Sequence, residues 1–238
     1  EQHARDRLQP PSATYLLGTD LFGRDLASRL IAGATNSLRV AVTSVALAGL
    51  VGTLLGIVAG FAGGWVDTLL MRVMDVFFAF PTLLLALVVV TVLGPGLENA
   101  IIAIAIVYTP IFARVARAPV LAVKQMEFVT AARALGAKDR EIISRHILPN
   151  AISPLIISFT IAVPLAIFAE AGLSFLGLGV PPPTPSWGNM LEAARNLDIL
   201  RNVPWMWTPP AIMLVLTVLA VNFIGDGVRD AVDPRMVI

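Results

Sequence analysis

Five stretches of this chain are long enough and apolar enough to cross a membrane as helices. They run from about Val40 to Phe61, Val73 to Leu93, Ala100 to Val123, Ala151 to Leu173 and Pro210 to Ile224. A helix needs about 20 mostly apolar residues to span a hydrocarbon layer of about 30 Å. Barrel strands would be shorter and would alternate with period two, which these runs do not. The expected fold class is therefore all-α, a polytopic helical membrane protein with five transmembrane helices between residues 40 and 238. Composition agrees: only 14% of residues are charged, against about 25% in a typical soluble domain. The formal net charge of +1 makes no case for nucleic acid, and the absence of cysteine excludes disulfides, thiolate metal sites and Cys nucleophiles. The chain opens on Glu1 with no signal pattern, so it is expected to begin inside a longer product.

Pro81, Pro110 and Pro164 fall inside the expected spans, where neighbouring helices re-satisfy the backbone groups that a proline frees. Ordinary kinking and a gating role are both open. Gly52, Gly56 and Gly60 recur every fourth residue and share one helix face, which allows close approach of another helix. Residues 1–39 form an extracytoplasmic segment and 177–208 an extracytoplasmic loop. Lys and Arg set the orientation. The side holding the 62–72 loop, the central loop and the tail carries ten, against seven on the other, and is expected to be cytoplasmic. Trp65, Trp187, Trp205 and Trp207 suit interfacial belts. Trp187, Met190, Leu191, Ala194 and Leu197 predict a short helix along the outer surface.

One charged, helix-forming segment, 124–150, interrupts the apolar runs. Phe128, Ala132 and Leu135 make a stripe on one helix face, Gly136 offers a stop, and Asp139 is the expected N-cap of a second short helix bearing Ile142, Ile143 and Ile147. Pro149 and Pro154 are expected where the next span begins. A stripe of this kind enters a partner's groove; a merely solvated helical loop is the other reading.

Among candidate single residues, Glu170 is an acid deep in an apolar run, either in the pathway or in a structural hydrogen bond. Asp20, Arg24 and Asp25 either hold a turn together or touch an external partner; their spacing does not make a calcium loop. The tail acids Asp226, Asp230 and Asp233 do not either. His3 and His146 lack ligand spacing, so no metal site is expected, and His146 suits a helix end. No Gly-x-Ser-x-Gly elbow and no Gly-x4-Gly-Lys-Ser/Thr loop occurs, so the chain is not expected to be an enzyme.

The segment TAARALGAKDREIISRHILPN resembles the cytoplasmic coupling loop of bacterial ABC-importer membrane subunits. Ala131, Ala132, Gly136, Leu148 and Pro149 match that motif; Thr130 stands where its Glu would be, with Glu127 three residues earlier. LLGTDLFGRDLASRL, with Gly18, Thr19, Asp20, Gly23, Arg24 and Asp25, resembles the outer signature of the dipeptide, oligopeptide and nickel permeases. AEAGLSFLGLGVPPPTPSWGNML and NFIGDGVRDAVDPR extend the likeness, which points to the C-type subunit of that branch. The resemblance implies a permease of an ATP-driven importer in the bacterial cytoplasmic membrane, carrying peptides or, alternatively, nickel or another small solute. It implies a homologous B-type permease, two ATPase subunits that bind ATP and Mg, and an extracytoplasmic substrate-binding protein as partners. It assigns ATPase coupling to Glu127, Phe128, Thr130, Ala131, Ala132, Leu135, Gly136, Leu148 and Pro149. Family members have six spans, so the expectation is that the first is missing here. An ion-gradient-driven carrier, which calls for paired intramembrane charges, is the rival class; a non-transporting scaffold that recruits a soluble partner is another.

Overall fold

A computed structural model describes residues 4–232 of the chain. His3 and the Asp233–Arg235 end of the tail motif lie outside the described residues. The first apolar run lies within the longest single helix, α1, Leu26–Ala62. After it come α2, Gly64–Phe78, α3, Thr82–Leu93, and α4, Leu97–Lys124. The central charged segment gives α5, Glu127–Ala134, and α6, Asp139–Ile142. A wider π turn, Ile143–Ile147, leads into α7, Leu148–Phe175. Then follow α8, Trp187–Ala193, α9, Leu197–Asn202, a 3-10 turn at Pro204–Met206, and α10, Thr208–Val232.

Four helical stretches among the described residues are long and apolar enough to cross a membrane singly: Leu26–Ala62, Leu97–Lys124, Asp139–Phe175 and Pro204–Ala231. The expected span 73–93 is not one of them. It is split at Ala79–Pro81 into α2 and α3, which meet at a bend of 96° and pass the test only together. Pro81 has no N–H to donate and biases Phe80 away from the helical region; the helix stops there, whereas Pro110 and Pro119 stay inside α4.

The central segment also departs from expectation at its end. Asp139 is the first residue of α6, not its cap; Lys138 holds the cap position and makes no side-chain cap bond. Pro149 and Pro154 do not interrupt the chain, which stays helical from Asp139 to Phe175. Pro149 cannot bond the Arg145 carbonyl four residues back, and its ring crowds that oxygen. The π turn widens the helix just there, and Asn150 Nδ2 donates to the neighbouring His146 carbonyl at 2.6 Å. His146 therefore sits within a helical stretch, not at a helix end.

Contacts divide the chain into two compact units. One comprises the residues up to Ser44 with Leu83–Ile104 and Val163–Val221; the other comprises Val45–Thr82, Ala105–Ala162 and the residues from Asn222 on. In the second unit, α1 and α4 pack backbone to backbone. A Cβ on Gly52 would lie 2.5 Å from the Thr109 carbonyl, and one on Gly60 would lie 2.9 Å from Val120 Cβ. Gly56 meets Ala113 and Ala116 in the same way. On the far side of α1, Leu50, Leu54 and Val58 repeat at the same interval and are exposed. One helix thus carries a close-packing stripe and an apolar stripe left for lipid or a partner. In the first unit the largest fully buried side chain is Trp187. The helix that begins there is sunk into its unit, with Trp187 and Met190 buried, and does not lie along the surface. Trp187 is a core residue and not part of an interfacial belt.

Replacing Gly56 by Leu is expected to destabilise the detergent-solubilised protein by about 1–3 kcal/mol or more, because a packed backbone has no room to relax. Leu54→Ala, on the exposed stripe, is expected to change stability by less than about 0.5 kcal/mol. Thermal unfolding of the two variants checks the contrast.

Candidate functional site

The central segment is anchored by one face and open on the other. Val129, Ile142 and Ile147 are fully buried and pack with Val120, Val123 and Ile57, so α5, α6 and the π turn are fixed to the ends of α4 and α1. Phe61 stands at the junction: Lys124 Nζ donates to its carbonyl at 2.5 Å, and the Lys124 and Arg133 cations lie 5.6 and 5.5 Å from its ring centre. The opposite face presents Phe128, 44% exposed, and Leu135, 89% exposed. Ala132 lies between them, partly buried, while Glu127, Thr130 and Ala131 are exposed. Exposure of this size at Leu135 is not accounted for by packing within the chain.

Gly136 ends α5 by conformation and not by lack of space. Its φ is +87° and nothing lies within 4 Å of where a Cβ would be. Ala137 N–H donates to Ala132 O and Gly136 N–H to Arg133 O, each at 3.0 Å, which together make a Schellman cap. The chain then turns back, and the Phe128 and His146 rings meet at 5.2 Å. Between α5 and the π turn lies an open concavity of about 350 Å³ lined by Ala132, Leu135, Gly136 and His146 among others. Leu148 and Pro149 are exposed just beyond it. The structure brings the sequence-selected residues 127–136 and 146–149 into one region. The anchor Val129 escaped sequence reasoning; its position between the stripe residues was the available signal.

The outer motif is a tight knot. Asp20 accepts from the Phe22 and Arg24 N–H groups at 2.8 and 3.0 Å and from Arg24 Nε at 2.7 Å, with Arg29 Nε at 3.5 Å. Gly18 and Gly23 have φ of +77° and +71°, and a Cβ on Gly18 would strike the Gln9 carbonyl and the Trp205 ring. Thr19 Oγ1 accepts from Gln9 N–H and donates to the Asp6 carbonyl. Asp25 caps α1, taking the Ser28 N–H at 2.9 Å and hydroxyl at 2.6 Å. Burial pushes the Asp25 carboxyl up, but the bonds from the Ser28 hydroxyl and from the Ser28 and Ala27 N–H groups outweigh it and hold it below its usual range.

Glu170 is fully buried in the first unit. Its Oε1 accepts from Ser174 Oγ at 2.7 Å. Among the described residues this is the one hydrogen bond to the carboxylate, and Oε2 has no partner. Three buried hydroxyl oxygens in this region each take a backbone N–H: Val180 on Ser174, Trp187 on Ser37 and Asn189 on Ser186. Asn189 Nδ2 donates to the Val180 and Thr184 carbonyls at 3.1 and 2.7 Å, and Asn36 Nδ2 to Pro185 O at 2.8 Å. Ser174, Ser37, Asn36 and Asn189 thus clamp the proline-rich connection and the start of α8 to α7 and α1, and Glu170 is buried against Ser174 of that clamp. Ser37, Ser186 and Asn189 were not singled out by sequence; the Ser-x-x-Asn cap spacing at 186–189 was legible.

Two ion pairs were also missed. Arg117 forms a fork with Asp67, Nε at 2.6 Å and Nη2 at 2.5 Å, and Arg114 Nη2 meets Asp75 Oδ1 at 2.5 Å. Counted from sequence as cations marking a membrane side, Arg114 and Arg117 instead hold α2 to α4.

A family model described as "binding-protein-dependent transport system inner membrane component" matches residues 52–238. The dipeptide transport system permease protein of Alkalihalophilus pseudofirmus is 46% identical over 99% of this chain and 77% of its own length. The glutathione transport system permease protein of Pectobacterium atrosepticum is 44% identical over 97% of this chain and 76% of its own. The di/tripeptide transport system permease protein of Pseudomonas aeruginosa is 46% identical over 99% and 79%. Among solved structures, an inward-facing methionine ABC transporter chain aligns with a TM-score of 0.72 at 19% identity, covering 87% of this chain and 98% of that one. The structural likeness supports the helical membrane fold.

Asp25→Ala is expected to cost about 1 kcal/mol at neutral pH. A lowered folded pKa stabilises above the unfolded value near 3.9 and is lost as pH falls through the folded one. The difference from the parent should therefore shrink in melts below about pH 4. Glu170→Ala strands the buried Ser174 hydroxyl and is expected to destabilise by about 1–3 kcal/mol, with Glu170→Gln closer to the parent, measured in the same way.

Proposed function

This chain belongs to the family of binding-protein-dependent transport system inner membrane components, and from that membership we propose that it is the multi-pass permease subunit of an ATP-driven peptide importer. Peptide cargo rests on the relatives named for dipeptide, glutathione and di/tripeptide transport. The single observation that carries coupling is the stripe Phe128–Ala132–Leu135, exposed at Phe128 and Leu135, on a segment whose other face is locked to α1 and α4. A docking element has to combine these properties: apolar surface for a groove, and a rigid path for force.

In this reading the stripe, Gly136 and the Leu148–Pro149 end contact an ATPase subunit. ATP and Mg bind in that partner, since this chain has no phosphate-binding loop. A homologous permease completes the pathway and an extracytoplasmic binding protein delivers the cargo. Movement of the ATPases presses on α5 and passes through Val129, Ile142 and Ile147 to Val120, Val123 and Ile57. Alternating access follows if those contacts differ in strength between the two states. Glu127, exposed three residues before Thr130 on the same helix, offers the negative charge that the motif's acid would carry.

The ion-gradient rival calls for paired intramembrane charges; the two ion pairs seen here join α2 to α4, and family membership favours the ATP-driven reading. Ala132→Arg or Gly136→Pro is expected to abolish co-purification of the ATPase subunits and to reduce ATP-dependent peptide uptake into vesicles at least tenfold. Uptake that persists without ATP and collapses with an ionophore would overturn the proposal.

A further inference from the structure

The two α2–α4 ion pairs differ in how far they are spent. Asp67 and Arg117 are joined by two bonds, with side chains 15% and 32% exposed. Asp75 and Arg114 share one close bond and are 44% and 48% exposed. Asp75 Oδ2 has only Arg72 nearby, at 3.8 Å, and Arg114 keeps donors free. Arg114 lies ten residues before the end of α4 and seventeen after its start, roughly 15 and 26 Å from the two ends. A half-exposed carboxylate and guanidinium at such depth do not face lipid; such groups face a bundle interior or water.

A second observation points the same way. The helix break at Ala79–Pro81 directly follows Phe78, whose ring lies 4.0 Å beneath the Arg114 cation. The break residues are exposed, Phe80 by 54%. Irregular backbone at membrane depth is tolerated only where protein buries it or water reaches it.

We propose that this face of the second unit lines the aqueous translocation pathway, and that Asp75 and Arg114 receive the ammonium and carboxylate of a zwitterionic solute such as a short peptide. A paired acid and base can exchange one bond to each other for one bond each to a solute carrying both charges, so passage leaves neither charge unpaired. Phe78 holds the guanidinium flat and offers a ring to an apolar side chain. The inference rests on the permease reading above and adds the residues that meet the cargo.

The test uses the assembled transporter in proteoliposomes. This chain has no native cysteine, so single cysteines report directly. Phe80→Cys is expected to react with a charged thiosulfonate at least tenfold faster than Leu54→Cys, and excess dialanine is expected to slow that reaction. Asp75→Asn and Arg114→Gln are each expected to lower ATP-dependent uptake of radiolabelled dialanine at least fivefold, with ATPase subunits still co-purifying. A capped peptide separates roles: N-acetyl-dialanine amide carries neither terminal charge and is expected not to slow the Phe80→Cys reaction at concentrations where dialanine does. An unreactive Phe80→Cys, or capped peptide protecting it as well as dialanine, would overturn the proposal. If the parent complex shows no ATP-driven dialanine uptake, the peptide-importer reading fails instead, and the cysteine rates still decide whether the face is wet.

Discussion

Within a hydrocarbon layer a backbone amide has no water to bond, and every other feature of this chain follows from that constraint. The spanning segments are helices because a helix closes its bonds within itself. Where helices end, the open carbonyls are met locally: Gly136 and Gly177 terminate α5 and α7 with the same pair of Schellman bonds. Where a proline removes a bond, the helix opens a π turn before Pro149 and stops before Pro81, and it runs on through Pro110, Pro119, Pro154 and Pro164. The connection after α7, rich in proline, has few amides of its own and is held by side chains, with Ser37, Ser174, Ser186 and Asn189 each bonded to its backbone or to the start of α8.

Charge is handled by the same rule. Asp20, Asp67 and Asp75 each meet an arginine, and Glu170 takes the Ser174 hydroxyl. The charges that remain open mark places where a solute or another chain is expected. The central segment shows the complementary pattern for apolar groups. Val129 is buried and Leu135 almost wholly exposed, although both are ordinary aliphatic residues on an eight-residue helix and its cap. A side chain left out at such expense of apolar surface calls for a partner.

Much of this was legible in the sequence. The 20-residue apolar runs gave the class and most spans, because transfer into lipid depends on local composition alone. Gly52, Gly56 and Gly60 announced a packing face, since a period of four on a helix is a geometric fact. Phe128, Ala132, Leu135 and Gly136 announced a short helix and its stop for the same reason.

What the sequence did not reveal was which residues meet across distance. Asp67 and Asp75 share a helix face two turns apart, as Arg114 and Arg117 do one turn apart, yet nothing local says that the two faces oppose each other. Ser37 and Trp187 are 150 residues apart and bond only because α1 and the start of α8 are packed together. Whether Pro81 breaks a span or bends it, and whether Trp187 lies at an interface or in a core, is settled by neighbours. The sequence by itself determined most of the segments long and apolar enough to enter the membrane, the stop at Gly136 and the stripes the helices carry, because those are decided by composition and periodicity within a few turns. Only the tertiary structure decided which charges are neutralised and which are left open, because a buried charge is tolerated only by partners brought from elsewhere in the chain.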